Sequence, residues 1–234
     1  MDLNKFISKL PTSQLEIYNK IENIINKQSK SRLYSIDLTN FSTAFFDDNY
    51  LQLLKSSEIH CVDSSWLPSI LDFKYDLKIK HSSLTDIFDN LIVNENYKHL
   101  ILGGPQVKLE RLSTNSKFLK TNMDFYELPF VSVDKFNYKK ISNKINKEKY
   151  DFIWVSLGAP KQEIFINKLF PLIDRGIVCG CGYIIDIYSG TRRAPLFIRR
   201  LRLEWVFRLL QNPKKQFRRV LSIIKFLIYF AKSK

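Results

Sequence analysis

Cysteine, histidine and glycine are all scarce in this chain of 234 residues. Its three cysteines, Cys61, Cys179 and Cys181, form neither a disulfide framework nor a CxxC pair, and three histidines are too few to suggest a zinc site. No metal site and no resident cofactor are expected, and a reducing compartment suits the thiols. The seven glycines never fall into GxGxxG or GxxxxGK[ST], which excludes the dinucleotide fingerprint and a Walker-type ATP site. Long apolar runs are missing as well. The longest, residues 220–231, is interrupted by Ser222 and Lys225 and falls short of the roughly 20 residues that span a bilayer. The first residues carry an acid at position 2 and no unbroken apolar stretch, so neither a signal peptide nor an anchor helix is expected there. No Ser/Gly-rich linker or internal repeat divides the chain.

Acidic residues vanish near the end. Residues 192–234 hold thirteen Lys/Arg against one acid, Glu204, and so carry +12 of the formal net charge of +14. The rest is close to neutral, with 24 basic and 22 acidic residues. Phe197, Leu201, Trp205, Phe207, Phe217, Leu221, Phe226 and Tyr229 are interleaved with the tail's cations, a mixture suited to an anionic surface over an oily layer. The expected organisation is a core over residues 1–191 and a basic appendage over 192–234. Two amphipathic helices, 195–210 and 214–231, are expected in the appendage.

Within the core, short β-rich apolar runs alternate with helical spacing. Strands are expected at 32–38, 59–62, 99–102, 150–157 and 177–180, and helices at 15–25, 47–55, 86–93, 107–112 and from Pro160 onward. The Asn/Lys-rich stretch 137–149 reads as a solvated connection. Strands ending in glycine and followed by helices imply an α/β, Rossmann-like, mostly parallel sheet with helices on both faces. Ligands on such sheets bind beyond the carboxyl ends of the strands, where these glycines cluster.

Three motifs sit at those ends. Gly103-Gly104-Pro105 follows a buried strand, so its amides can approach a phosphate, although a tight turn alone explains two glycines. Gly158-Ala159-Pro160-Lys161-Gln162-Glu163 joins a strand end to a helix start. Its proline suits the first helical turn whatever the function, and Glu163 reads as an acid facing the positive end of the helix dipole. Gln162, in that same turn, has an amide placed to face the crevice. The third motif, residues 180–190, sets one carboxylate, Asp186, in an apolar stretch between glycines, where it either needs a partner or caps the next segment.

These motifs, in this order and followed by Arg193-Ala194-Pro195 and Leu203-Glu204-Trp205-Val206-Phe207-Arg208-Leu209-Leu210-Gln211-Asn212-Pro213, resemble the WecG/TagA/CpsF glycosyltransferases, glycosyltransferase family 26. The resemblance covers roughly residues 35–219 and is strongest from Asp151 onward. It implies a Rossmann-like, inverting, metal-independent enzyme. Such an enzyme moves a hexosamine-type sugar from a UDP-sugar to a polyprenyl-diphosphate-linked acceptor, peripheral to the cytoplasmic face of the bacterial inner membrane. Capsule, O-antigen and exopolysaccharide synthesis all fit. The same resemblance implies that the arginine-rich appendage docks on the bilayer and completes the site.

Carried over residue by residue, the family's T-x-N falls on Leu38-Thr39-Asn40, retaining Asn40 with the threonine either replaced by Leu38 or displaced to Thr39. Its Asp-Gly falls on Asp63-Ser64, and R-V-T-G-S-D-L falls on residues 78–84, keeping a cation at Lys78 but losing glycine and acid. Asp63 is then the expected general base, and without the resemblance it reads as a helix cap. Asn40, Thr39 and Lys78 are expected near sugar or acceptor, and Gly103, Gly104, Gln162 and Asp186 around the nucleotide-sugar. With no DxD motif, the leaving diphosphate is assigned to Arg208, with Arg218 and Arg219 as further candidates. The expected partners are the donor, the acceptor and an anionic membrane. Nucleic acid is not expected, because 220–231 is too apolar for a solvated arm, and oligomeric state is left open. The rival reading is a non-catalytic basic scaffold on a membrane or nucleic acid, insensitive to Asp63.

Overall fold

The computed structural model describes residues 2–190, 194–201, 203–211 and 213–232. In chain order, α1 (Asp2–Ile7) and α2 (Gln14–Asn26) lead into β1 (Lys30–Ser35), followed by α3 (Leu38–Phe46), α4 (Asp48–Lys55) and β2 (Ile59–Cys61). Next come α5 (Leu67–Tyr75), α6 (Leu84–Ile92), β3 (His99–Leu102), α7 (Gln106–Ser113) and β4 (Met123–Tyr126). The last core elements are α8 (Tyr138–Glu148), β5 (Phe152–Val155), α9 (Lys161–Leu169), β6 (Gly176–Gly180) and α10 (Gly182–Tyr188). The basic tail adds α11 (Leu196–Arg200), α12 (Glu204–Gln211) and α13 (Pro213–Lys232).

The six strands make one sheet in the order β2-β1-β6-β5-β3-β4, and every pairing is parallel. The fold is α/β and Rossmann-like. Central strands alternate their side chains between two apolar layers: Leu100, Leu102, Ile153, Val155 and Val178 enter one, whereas Ile101, Phe152, Trp154, Ile177 and Cys179 enter the other. Both faces of the sheet must then be covered by helices, which is why these strands read as unbroken apolar runs. The neighbours β3 and β5 send the chain in opposite directions, one outward to β4 and the other inward to β6. That switch point opens a crevice beyond their carboxyl ends.

Several expected boundaries change. β1 ends at Ser35, because Asp37 accepts a hydrogen bond from the Asn40 amide and starts α3 at Leu38, the last residue of the expected strand. The stretch 137–149 is a helix with Asn137 as its cap and Lys149 in the left-handed conformation at its end, and it buries Ile141 and Ile145 one turn apart. The edge strand β4 and helix α5 are additional elements. The first appendage helix expected is two shorter ones, α11 and α12. Helix α13 returns to the core: Phe226 and Phe230 are buried against Phe41 and Phe45 of α3, with ring centroids 5.3–6.4 Å apart. Lys74 lies over the Phe230 ring and its Nζ donates to the Phe230 carbonyl at 2.7 Å.

Candidate active site

A cavity of about 940 Å³ lies along the carboxyl edge of the sheet, large enough for a nucleotide-sugar-sized ligand. Segments following all six strands reach it, and Gln211 of α12 and Arg219 of α13 close it from the tail.

On the β1 side, Asp37, Thr39, Asn40 and Tyr50 line the wall. The Asn40 side chain is fixed twice: its Nδ2 donates to the Ser35 carbonyl at 2.9 Å, and its Oδ1 accepts from the Tyr50 hydroxyl at 3.3 Å. Burial raises the proton affinity of Tyr50 above its ordinary value, so it remains a neutral donor. Asp63 lines the cavity beyond β2, where its amide donates to the Ile36 carbonyl and continues the β1–β2 ladder past its formal end. At the start of α5 the Ser64 Oγ accepts from the Leu67 amide at 3.2 Å.

The segment after α5 is tied beside Asp63 by Ser82, whose Oγ accepts from the Val62 amide at 2.9 Å. Leu84 and Thr85 at its end line the cavity, but Lys78 is exposed and lies outside the lining. The expected pair of phosphate-facing glycines divides. The Gly103 amide donates to the Tyr126 carbonyl at 2.9 Å, and only Gly104, with φ of +92°, borders the cavity. The cation on this wall is Lys108, one turn further along α7, which forms an ion pair with Asp186 of α10 across the cavity. A lysine one helical turn beyond a glycine turn was the available signal for it. Asp186 is thus a paired side chain within a helix rather than a cap.

Gln162, in the first turn of α9, is nearly buried and lines the cavity, and its Nε2 donates to Glu163 Oε1 at 2.9 Å. The Gln162 side chain lies flat on β6. A Cβ at Gly180 would stand 2.5 Å from Gln162 Nε2, and one at Gly182 would stand 3.3 Å from its Oε1. These glycines make room for the amide. Glu163, which the sequence presents as an acid facing the positive end of the helix dipole, does stand in the first turn of α9 and is buried there. It is 3 % exposed, and burial raises its pKa to about 7.

Arg219 reaches the cavity. The side chains of Arg208 and Arg218 lie outside the described residues. Among the described residues no group of three or more metal-ligating side chains occurs, and no helix is long and apolar enough to cross a membrane.

The model of the family described as Glycosyl transferase WecG/TagA/CpsF matches residues 5–234. Among curated proteins, the chain is similar to the N-acetylglucosaminyldiphosphoundecaprenol N-acetyl-beta-D-mannosaminyltransferase of Bacillus spizizenii strain W23, 41 % identical over 38 % of this chain and 35 % of that protein. It is likewise similar to the protein of the same name from Bacillus subtilis strain 168, 37 % identical over 38 % of this chain and 34 % of that one. The Staphylococcus aureus strain MW2 protein of that name is 24 % identical over 95 % of this chain and 89 % of its own length. The match thus spans about a third of the two Bacillus relatives and most of the Staphylococcus one.

Proposed function

Because the chain belongs to the glycosyl transferase WecG/TagA/CpsF family, we propose that it transfers an N-acetylhexosamine-type sugar from a UDP-sugar to a polyprenyl-diphosphate-linked acceptor, with inversion and without a metal. The relatives' names describe transfer of an N-acetylmannosaminyl group to N-acetylglucosaminyl-diphospho-undecaprenol. The observation that carries the reading is the cavity itself: a carboxylate beyond β2 and two cations, Lys108 and Arg219, border one space at the switch-point edge of a parallel sheet.

In this reading Asp63 takes the proton of the acceptor hydroxyl as that oxygen attacks the anomeric carbon. The bond to UDP breaks on the opposite face, its electron pair leaving with the diphosphate. Single displacement inverts the centre. Lys108 and Arg219 offset the charge that accumulates on the leaving group, a duty expected from the sequence of Arg208. Asn40, held by Ser35 and Tyr50, orients the sugar or acceptor, while Gly104, Gln162 and Asp186 surround the nucleotide-sugar.

Residues 1–191 serve as the catalytic body and 192–234 as the appendage that seats it on the cytoplasmic face of the membrane, for surface-polysaccharide synthesis. Exposed Phe197, Leu201, Leu221, Ile224, Ile228 and Tyr229 among the tail's cations support this seat.

The test is Asp63→Asn, assayed by UDP release with and without a polyprenyl-diphosphate-sugar acceptor in liposomes. Loss of a general base is expected to lower turnover ~10²- to 10⁴-fold with folding intact. A folded variant turning over at the wild-type rate removes Asp63 from that role.

A further inference from the structure

Two neighbouring polar atoms are buried without any hydrogen-bond partner: Gln162 Oε1, on a residue that lines the cavity, and Glu163 Oε2 behind it. They belong to one linked pair, since the Gln162 Nε2 is held by Glu163 Oε1 at 2.9 Å. An amide has two distinguishable ends, and a carboxyl, ionised or protonated, keeps an acceptor oxygen for the NH₂ end. With the Gln162 Nε2 donating to Glu163 Oε1, the Gln162 carbonyl is turned away, over Gly182 at the cavity wall.

A buried carbonyl with no partner costs free energy comparable to a lost hydrogen bond, and a ligand that donates to it recovers that cost. Gly180 and Gly182 leave the amide no Cβ to rest against, so the orientation is set by Glu163. Glu163 is fixed in turn from the other side. The Tyr34 hydroxyl of β1 donates to its backbone carbonyl at 3.4 Å, and Asp37 and Tyr50 are the titratable groups that also face it.

We propose that Glu163 is a positioning residue that holds Gln162 with its carbonyl towards the cavity, so that this wall recognises a ligand through a donated N–H or O–H. The inference rests on the nucleotide-sugar reading above and narrows it. On a UDP-sugar such donors are the imide N–H of the base and the acetamido N–H and hydroxyls of the sugar or ribose. All offer the same chemistry to Gln162.

The test compares wild type, Glu163→Leu and Glu163→Gln by titration calorimetry with UDP, with UDP methylated at the imide nitrogen, and with UDP-N-acetylhexosamine. Thermal unfolding is followed on the same samples. Leucine fills similar space but cannot hold the amide, and affinity is expected to fall on the order of tenfold to a hundredfold with a cooperative melt retained. Glutamine offers a carbonyl to Gln162 Nε2 and is expected to recover most of that loss, which a purely steric role would not require. If the base is the donor, methylated UDP binds wild type poorly and the Leu variant discriminates less; if the sugar is the donor, only UDP-N-acetylhexosamine responds to the substitution.

A folded Glu163→Leu protein that binds UDP and UDP-N-acetylhexosamine as wild type does overturns the inference while leaving the nucleotide-sugar reading standing. A wild type that binds none of the three overturns both.

Discussion

Replacing Glu163 by glutamine has a consequence for stability whose sign can be worked out independently of any ligand. Burial raises the pKa of this carboxyl from 4.5 to about 7, with repulsion from Asp37 adding to the effect and the Gln162 hydrogen bond opposing it. In the unfolded chain the same group loses its proton near 4.5. Between those values the folded state holds more protons than the unfolded one, so stability falls as pH rises through the window. At about 1.4 kcal/mol for each tenfold change in proton affinity, the whole displacement corresponds to ~3 kcal/mol. That contribution is fully present below the unfolded value and fully lost above about pH 7. Glutamine has nearly the same shape and does not titrate. Tyr34 and Tyr50 stay protonated throughout, since burial raises both. Urea denaturation of both proteins at pH 5 and pH 8 is the assay. Wild type is expected to lose about 2 to 3 kcal/mol relative to Glu163→Gln over that interval. Groups common to both proteins cancel in the comparison. Stability profiles that run parallel from pH 5 to pH 8 would refute the reasoning, because they would mean that the Glu163 carboxyl is solvated.

Two further outcomes are expected. In Gly180→Ala the new Cβ meets the Gln162 Nε2 at 2.5 Å and its Cδ at 2.7 Å, but these atoms end a flexible side chain. Stability should fall by only about 1 kcal/mol, while sugar transfer drops at least on the order of tenfold as the amide is pushed from its seat. Wild-type transfer by this variant would mean that the position of Gln162 does not matter. On the tail, Leu221 and Ile228 are both about half exposed on α13 and lie two turns apart on the face opposite Phe226. Changing both to glutamate should lower partitioning onto anionic vesicles by more than about a hundredfold, since each such side chain is worth about 1.5–3 kcal/mol when buried. The melting temperature should not change, and cosedimentation at the wild-type level would remove this face from membrane contact.

What the sequence revealed and what it hid follow from the same physics. Strand β3 was readable to the residue, because an apolar run buried on both faces ends abruptly at Gly103. Strand β4, Met-Asp-Phe-Tyr, lies at the sheet edge, where half-exposed positions tolerate a charge and erase the apolar signature. Helix α3 was concealed by apolar residues that continue straight on from β1, although Asp37 three residues before Asn40 is a capping signal. In α8 the Ile141 and Ile145 spacing was present and was outweighed by the lysines and asparagines around it. The cavity wall shows a similar division. A cation carried over by resemblance pointed to Lys78, which is exposed, whereas local geometry selects Lys108, one turn beyond Gly104. For Glu163 the first-turn position offered a sufficient explanation by helix dipole, and only the packing of α9 against β6 and α4 shows that the acid is buried.

The way α13 packs decides how the appendage can be tested at all. Its aromatic pair, Phe226 and Phe230, is buried against Phe41 and Phe45 of α3, the helix whose first turn carries Asn40 to the cavity wall. Ser222 reaches the same helix through Ser42 at 3.2 Å, and Arg219, three residues before it, borders the cavity. Deleting residues 195–234 would therefore uncover the aromatic surface of α3 and remove Arg219 and Gln211 from the site, in addition to removing any membrane contact. Loss of activity after such a truncation could not be assigned to the bilayer. Removing a buried Phe226 side chain alone is expected to cost about 3–5 kcal/mol, so even a point change on that face acts through the core. Only substitutions on the opposite face of α13, at Leu221 and Ile228, leave the packing of α3 and the cavity wall untouched. A defect seen with those variants on vesicles, but not with a water-soluble acceptor analogue, would assign the tail's apolar face to the membrane and its Arg219 face to the sugar-transfer site.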